Sequence, residues 1–263
     1  MKLLHLENPF SAPVYHADTV TSTFDTARDL AAKGAAHGTV VCADYQEAGR
    51  GRQNRLWAAE KGKNLLFTIL LRYEGSSFVD FSSIPEALTL RAGLAVSLAV
   101  EDLVPVPAGS VKVKWPNDVM MESRKITGIL CEADGKNVFI GVGVNVAQTE
   151  FPEEYRSKAG SIIQAFQKLG EGNFPENARF VLLEKILARL YEELETSQKA
   201  WRERLLPRLY KKGKTVIFAE GSAASDNLIE GTLSGLGPGG ELLIVPNGEH
   251  EERAFVNGEL RVY

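Results

Sequence analysis

Arg50, Arg52 and Arg55 fall within one short segment, with Gly49 and Gly51 between them and Trp57 closing it. Arginine presents a planar fork of donors that takes two phosphate or carboxylate oxygens at once. Glycine permits positive φ and lets backbone come close to a ligand. Residues 47–63 carry five basic and two acidic side chains, in a chain whose formal net charge is −4. An anion site here is therefore local, not a product of the overall field. Three readings fit such a loop: a solvated charged surface, an arginine–glycine segment for RNA or single-stranded DNA, and an ordered anion-binding loop. The segment leads through Trp57 into a strongly apolar run, and its Arg-Gly pattern does not repeat. That favours the ordered loop. Residue chemistry alone does not name the anion.

A second group lies downstream, in Lys114-Trp115-Pro116-Asn117-Asp118. Pro116 removes a ladder donor and forces a turn, so Asn117 and Asp118 project at the end of a strand. Alone, this reads as an Asn-Asp turn beside a buried tryptophan. Lys125 follows at the head of the apolar run Ile126-Thr127-Gly128-Ile129-Leu130. A partly desolvated lysine acts strongly on a bound anion, and Gly128 leaves room for a ligand against the strand.

These groups need a scaffold. Thr23 or Asp25 caps a predicted helix over 26–33, closed by Gly34; strands are predicted over 38–44 and 64–71. The loop of about twenty residues between those strands is long enough to be functional. A helix over 86–103 ends at Pro105 and Pro107, and strands follow at 111–115, 125–133 and 137–146, the last two a hairpin across Asp134-Gly135. A long helix is expected over 175–197, with Leu183, Leu187, Leu190 and Leu194 on one face, and helical character over 200–210. Beyond Lys211 come short strands at 215–219, 228–236, 241–245, 253–256 and 260–263, the pattern of a small β-barrel. The expected class is α+β, with domains at 1–210 and 211–263.

Other chemistries are excluded. Cys42 and Cys131 sit in apolar runs and read as buried reduced thiols. There is no CxxC, HExxH or EF-hand pattern, and His5, His16, His37 and His250 are scattered without ligand-like neighbours in sequence, so no protein-built metal site is expected. Gly213-Lys214-Thr215 lacks the upstream glycine of a phosphate loop. Gly235, Gly237 and Gly240 precede a strand pattern rather than a helix, so they read as a hairpin turn. No serine sits in a nucleophile elbow. The N-terminus has no signal-peptide core, and the longest apolar run, Leu65-Leu66-Phe67-Thr68-Ile69-Leu70-Leu71, is far short of the roughly 20 residues that span a bilayer. A cytoplasmic protein without membrane contact is expected.

The order of these motifs resembles one family. Ser22-Thr23, Gln46, GRGRxxRxW, KWPND, KxxGIL and Gly141-x-Gly143-x-Asn145 resemble the catalytic domain of biotin protein ligases, and the small C-terminal β unit resembles theirs. The resemblance implies a mixed sheet with flanking helices, followed by an SH3-like barrel. It implies ATP with Mg²⁺, and biotin as substrate. Biotin carboxylate attacks the α-phosphate of ATP to give biotinyl-5′-AMP and pyrophosphate. A lysine of a biotin carboxyl carrier protein, of acetyl-CoA carboxylase or similar, then attacks the mixed anhydride. Mg²⁺ is compatible with the absence of a protein cage, because phosphates and water can hold it.

The implied roles follow residue by residue. Lys125 resembles the lysine that contacts biotin and the α-phosphate; Arg50 and Arg52 resemble the arginines that hold biotin and the adenylate, and Arg55 the grip on ATP phosphates. Gly49, Gly51 and Gly128 allow close approach. Ser22, Thr23 and Gln46 resemble the polar contacts to the ureido ring and the adenylate, and Trp57 packs on the ligand or pins the loop. Lys114 joins the binding set. Asp118 orients or deprotonates the acceptor lysine, Asn117 binds the adenylate, and Asn145 resembles the adenine-side asparagine.

Two positions depart from the family pattern. Phe24 stands where asparagine is frequent, so any ligand contact of that side chain is lost. Asn54 replaces a glycine, and asparagine is the next-best residue for positive φ, so the turn is expected to persist. Unpaired arginines repel one another, so the loop is expected to order around its ligand. Lipoate ligases share the chemistry, but their Arg-Arg-x-x-Gly-Gly-Gly loop and His-Asp pair are missing here. A biotin-sensing repressor carries a helix-turn-helix ahead of the catalytic part, and Ser22 leaves no room for one. A monofunctional ligase without a DNA-binding domain is expected, with a homodimer admitted as an arrangement. A stand-alone RNA-binding protein is the reading from a different class.

Overall fold

Two short strands open the chain, β1 (Lys2–Leu4) and β2 (Val14–Ala17). The computed structural model describes residues 1–72, 84–134, 137–169, 172–195, 198–221 and 225–261. Helix α1 (Thr23–Ala32) follows. Its cap is Ser22, whose Oγ accepts from the Phe24 amide at 3.2 Å, so the helix starts three residues earlier than expected and neither Thr23 nor Asp25 caps it.

Strands β3 (Val40–Ala43) and β4 (Leu65–Arg72) flank the long loop. Helix α2 (Ile84–Leu103) leads to β5 (Lys112–Lys114), β6 (Asp118–Met121), β7 (Arg124–Asp134) and β8 (Asn137–Val144). Together the first eight strands form one mixed sheet in the order β1-β2-β3-β4-β8-β7-β6-β5, with β2 and β3 parallel and the other pairs antiparallel. The expected β7–β8 hairpin is present, although Gly135 lies outside the described residues.

Helices α3 (Ile162–Leu169), α4 (Ala178–Glu195) and α5 (Gln198–Leu205) complete the helical set. Strand alternation sorts the apolar side chains between two faces. Val40, Cys42, Phe67, Ile69 and Leu71 point toward α2 and α4, while Val41, Leu70 and Phe139 point toward Phe24, Ala27 and Ala31 of α1. This two-sided burial explains why β4 reads as a continuous apolar run rather than an alternating one.

The C-terminal residues form a second, antiparallel sheet from β9 (Thr215–Glu220), β10 (Leu228–Leu236), β11 (Leu242–Pro246), β12 (Arg253–Phe255) and β13 (Gly258–Arg261), ordered β12-β11-β10-β9-β13. The glycine cluster at 235–240 is the β10–β11 turn. Residues 262–263, the end of the last predicted strand, lie outside the described set. One apolar cluster joins Leu90 and Leu94 of α2, Trp115 and Trp201 to Phe218, Leu233 and Phe255 of this sheet. The core therefore continues across residue 211, and the second sheet is seated against the first unit. Among the described residues no helix is long and apolar enough to cross a membrane.

Candidate active site

A cavity of about 180 Å³ opens between the sheet and the loop that joins β3 to β4. Its floor is made by absence of side chains. Gly128 on β7 and Gly143 on β8 are register partners, and a Cβ on either would lie 2.7 or 2.5 Å from the Trp57 indole. The expected room against Gly128 exists, and Trp57 is what lies in it. A Cβ on Gly141 would overlap the Phe24 ring. Phe24 is 3% exposed, so the replacement of asparagine has given a ring packed into a glycine hollow.

At one wall, the β5–β6 turn folds Lys114 and Asp118 into register. Asp118 Oδ1 lies 2.7 Å from Lys125 Nζ, and its Oδ2 lies 3.6 Å from Lys114 Nζ. Burial alone would push the Asp118 carboxyl up, but the two lysines and the hydrogen bond from Lys125 hold it below the usual range. Burial lowers the pKa of Lys114 despite the same carboxylate. The Lys125 ammonium also sits 5.4 Å from the Trp57 ring centroid, within cation–π range.

The three loop arginines are each paired, contrary to the expectation of mutual repulsion. Arg50 donates to Asp25 at 2.8 Å, Arg52 to Asn117 Oδ1 at 3.3 Å, and Arg55 to Glu259 at 2.6 Å. The loop is thus tied to α1, to the β5–β6 turn and to β13 of the second sheet. Positive φ falls on Gln53 (φ 55) within a short 3₁₀ turn over Arg52–Asn54, so the left-handed residue is not Asn54. Gly51 has φ −121 and needs no special freedom. A Cβ on it would press on the Arg55 carbonyl at 3.2 Å, and one on Gly49 would lie 2.8 Å from the Trp57 carbonyl. These glycines permit the loop to fold on itself.

The α1 end is polar. Gln46 Oε1 accepts from the Thr23 amide at 2.8 Å and from Thr23 Oγ1 at 3.0 Å, and Thr68 Oγ1 donates to Thr23 Oγ1 at 2.8 Å. Ser22 is the helix cap, and neither it nor Gly49 lines the cavity. The other expected site residues, from Thr23 to Asn145, line it. Three buried polar atoms among them have no hydrogen-bond partner among the described residues: Arg50 Nε, Trp57 Nε1 and Asn145 Oδ1. Leaving buried donors and acceptors unmet is costly, and these three belong to residues that line the cavity.

Sequence reasoning missed two contributors. Phe151, Pro152, Tyr155 and Ala159 line the mouth, fixed by Lys125 N–H to Lys158 O (2.8 Å) and Gly160 N–H to Lys125 O (3.0 Å). Glu259 comes from β13. Neither carries a motif. Elsewhere, His16 does have ligand-like neighbours in space, since ligand atoms of His16, Asp18 and Asp44 lie within 4.8 Å of one another. Arg179 already supplies Asp44 with a cation at 2.7 Å.

Arginines and lysines converging on a cleft over a glycine floor define a site for a small anionic ligand. The Biotin/lipoate A/B protein ligase family matches residues 16–145. The biotin–[acetyl-CoA-carboxylase] ligase of Paracoccus denitrificans is 31% identical over 217 residues, covering 76% of this chain and 82% of that protein. The biotin protein ligase of Aquifex aeolicus, solved in complex with biotin and ATP, matches with a TM-score of 0.75 at 28% identity, covering 94% of this chain and 97% of that one. The chain belongs to the biotin/lipoate A/B protein ligase family, and within it to the biotin protein ligases. The match to the bifunctional ligase/repressor BirA of Bacillus subtilis, 36% identical, covers 58% of this chain and 46% of that protein, so the chain spans about half the length of that relative.

Proposed function

We propose that this protein activates biotin as biotinyl-5′-AMP and transfers it to a lysine of a biotin carboxyl carrier domain. The observation that carries the reading is the convergence of Arg50, Arg52, Lys114 and Lys125 on one cavity, beside polar atoms that lack hydrogen-bond partners among the described residues. Thr23 and Gln46 suit the polar ring of biotin at the α1 end. Lys125, at the opposite wall, suits its carboxylate and the α-phosphate.

In the first half-reaction a carboxylate oxygen bonds to the α-phosphorus and the bond to the β-phosphate oxygen breaks, releasing pyrophosphate. Charge builds on phosphoryl oxygens, where Lys125 and Arg52 stabilise it. In the second, the carrier amine adds to the acyl carbon, loses its proton, and expels AMP. A carboxylate held by two lysines accepts a proton poorly, so Asp118 suits orientation of Lys125 and of the incoming amine better than proton abstraction. The cavity's two carboxylates, Asp118 and Glu259, are both engaged by cations. Mg²⁺ would then enter with ATP, where phosphates and water can supply its ligands and it would offset phosphate charge.

The five-stranded C-terminal sheet we read as the small SH3-like barrel of the family, with the domain boundary near residue 211, and the reaction we place in the cytoplasm. The test is incubation with ATP, Mg²⁺, labelled biotin and a carrier domain. Label appearing on the carrier supports the reading; transfer of lipoate in place of biotin overturns it.

A further inference from the structure

We infer that Asp25 and Phe24, in the first turn of α1, are positioning residues that aim Arg50 into the cavity. The inference rests on the reading above for the ligand, but its geometry stands apart from it. Arg50 Nη2 donates to Asp25 Oδ1 at 2.8 Å. Its guanidinium carbon lies 5.3 Å from the centroid of the Phe24 ring. One contact fixes the outer edge of the guanidinium and the other fixes its face. Of its other donors, Nε is buried and has no hydrogen-bond partner among the described residues, and the residue lines the cavity.

Phe24 can serve as a platform because its ring is packed on the side away from the cavity. Its ring fills the hollow over Gly141 and packs in the cluster of Ala27, Val41 and Phe139. The same helical turn holds the loop at an earlier point, where the Thr23 amide and hydroxyl both donate to Gln46 Oε1. Successive residues of one capped turn thus register the start of the loop and its first arginine. Arg52 and Arg55 are anchored to other elements, so only Arg50 depends on α1. Arg50 and Asp25 are 36% and 50% exposed, and such a pair is weak by itself. Stacking on a fixed ring supplies the second constraint, so each variant should loosen Arg50 without unfolding the protein.

The experiment forms biotinyl-5′-AMP on the protein in the absence of carrier and follows its release. D25N and F24L are expected to release it about fivefold faster than wild type, with D25E close to wild type. In an R50M background, which has no cation to pair with Asp25, D25N should add no further change, because the two residues act through one guanidinium. An unchanged release rate in D25N, or the same acceleration in the R50M background, overturns the inference. A second measurement needs no ligand. Tryptic cleavage after Arg50 should quicken severalfold in D25N while cleavage after Arg52, Arg55 and elsewhere stays constant. Equal cleavage after Arg50 in D25N and wild type likewise overturns it. If wild type forms no biotinyl-5′-AMP, the ligase reading fails, and the cleavage rates alone decide the positioning role.

Discussion

Asp118 stands between two lysines, 2.7 Å from Lys125 and 3.6 Å from Lys114, with its side chain 12% exposed. A single buried carboxylate thus sets where one half-buried and one buried ammonium sit. The arrangement is self-consistent only while Asp118 is ionised, because burial of Lys114 without its anion would be costly.

Asp118→Asn should therefore cost stability as well as activity. Removing one partner of a buried ion pair typically costs about 3–5 kcal/mol, and a loss of that order is expected in urea unfolding at pH 7. The sign with pH follows from the lowered carboxyl pKa. Its stabilisation is present above the unfolded carboxylate value, about 3.9, and is lost as pH falls through the folded value. Wild type should lose stability below about pH 4, and the variant's profile should be flatter there. Parallel acid limbs would show that Asp118 carries no such linkage.

Lys125→Ala should remove the chemistry while the chain still folds at some cost in stability, since Lys114 remains 3.6 Å from Asp118. The side chain is 30% exposed and lies at the cavity wall, so its removal leaves no cavity in the core. Losing a donor that faces developing phosphoryl charge typically costs about 10²–10³-fold. Single-turnover adenylate formation should fall by at least that factor while the circular dichroism spectrum is unchanged. Adenylate formation at the wild-type rate would remove Lys125 from the chemistry.

Much of this site was legible because its charged residues lie in a few short segments whose chemistry shows in residue type. What sequence hid has identifiable causes. Strand β6 was missed because its hairpin to β7 turns on Glu122 (φ 50) and Ser123 (φ 59), not on the Asn-Gly pair that advertises such turns. Gly49 and Gly51 were credited with conformational freedom, whereas contact distances within the loop are what exclude a Cβ there. Glu259 pairs with Arg55 across 204 positions, a separation at which no local pattern signals contact. The segment at 151–159 holds no motif and is placed by backbone hydrogen bonds around Lys125.

The two thiols should be inert in the folded protein. Cys42 is buried as expected while Cys131 is only half-buried, yet desolvation pushes both thiols up to about 12, with Asp44 adding to the effect at Cys42. Thiolate is the reactive form, so an aromatic disulfide reagent at pH 8 should label neither thiol on the timescale of a free cysteine. Unfolding in guanidinium should release two equivalents per chain. Fast labelling of the native protein would show that their surroundings do not hold the thiols protonated.

Gly141→Ala tests whether Phe24 is as immobile as its role beneath Arg50 requires. A methyl group at 141 would occupy space now filled by ring carbons of Phe24. That ring is enclosed by Ala27, Val41 and Phe139, so it cannot swing aside without disturbing α1. Overpacking of this kind typically costs about 1–3 kcal/mol. Displacement of the ring should also loosen Arg50, so thermal stability and biotinyl-adenylate retention should fall together. Phe24→Leu in the same chain should restore most of the stability, since the shorter side chain vacates the overlap, but it should not restore retention, since it offers no π face to the guanidinium. Recovery of both by the second substitution would mean that the ring only fills volume. Recovery of neither would place the defect in the β8 backbone instead.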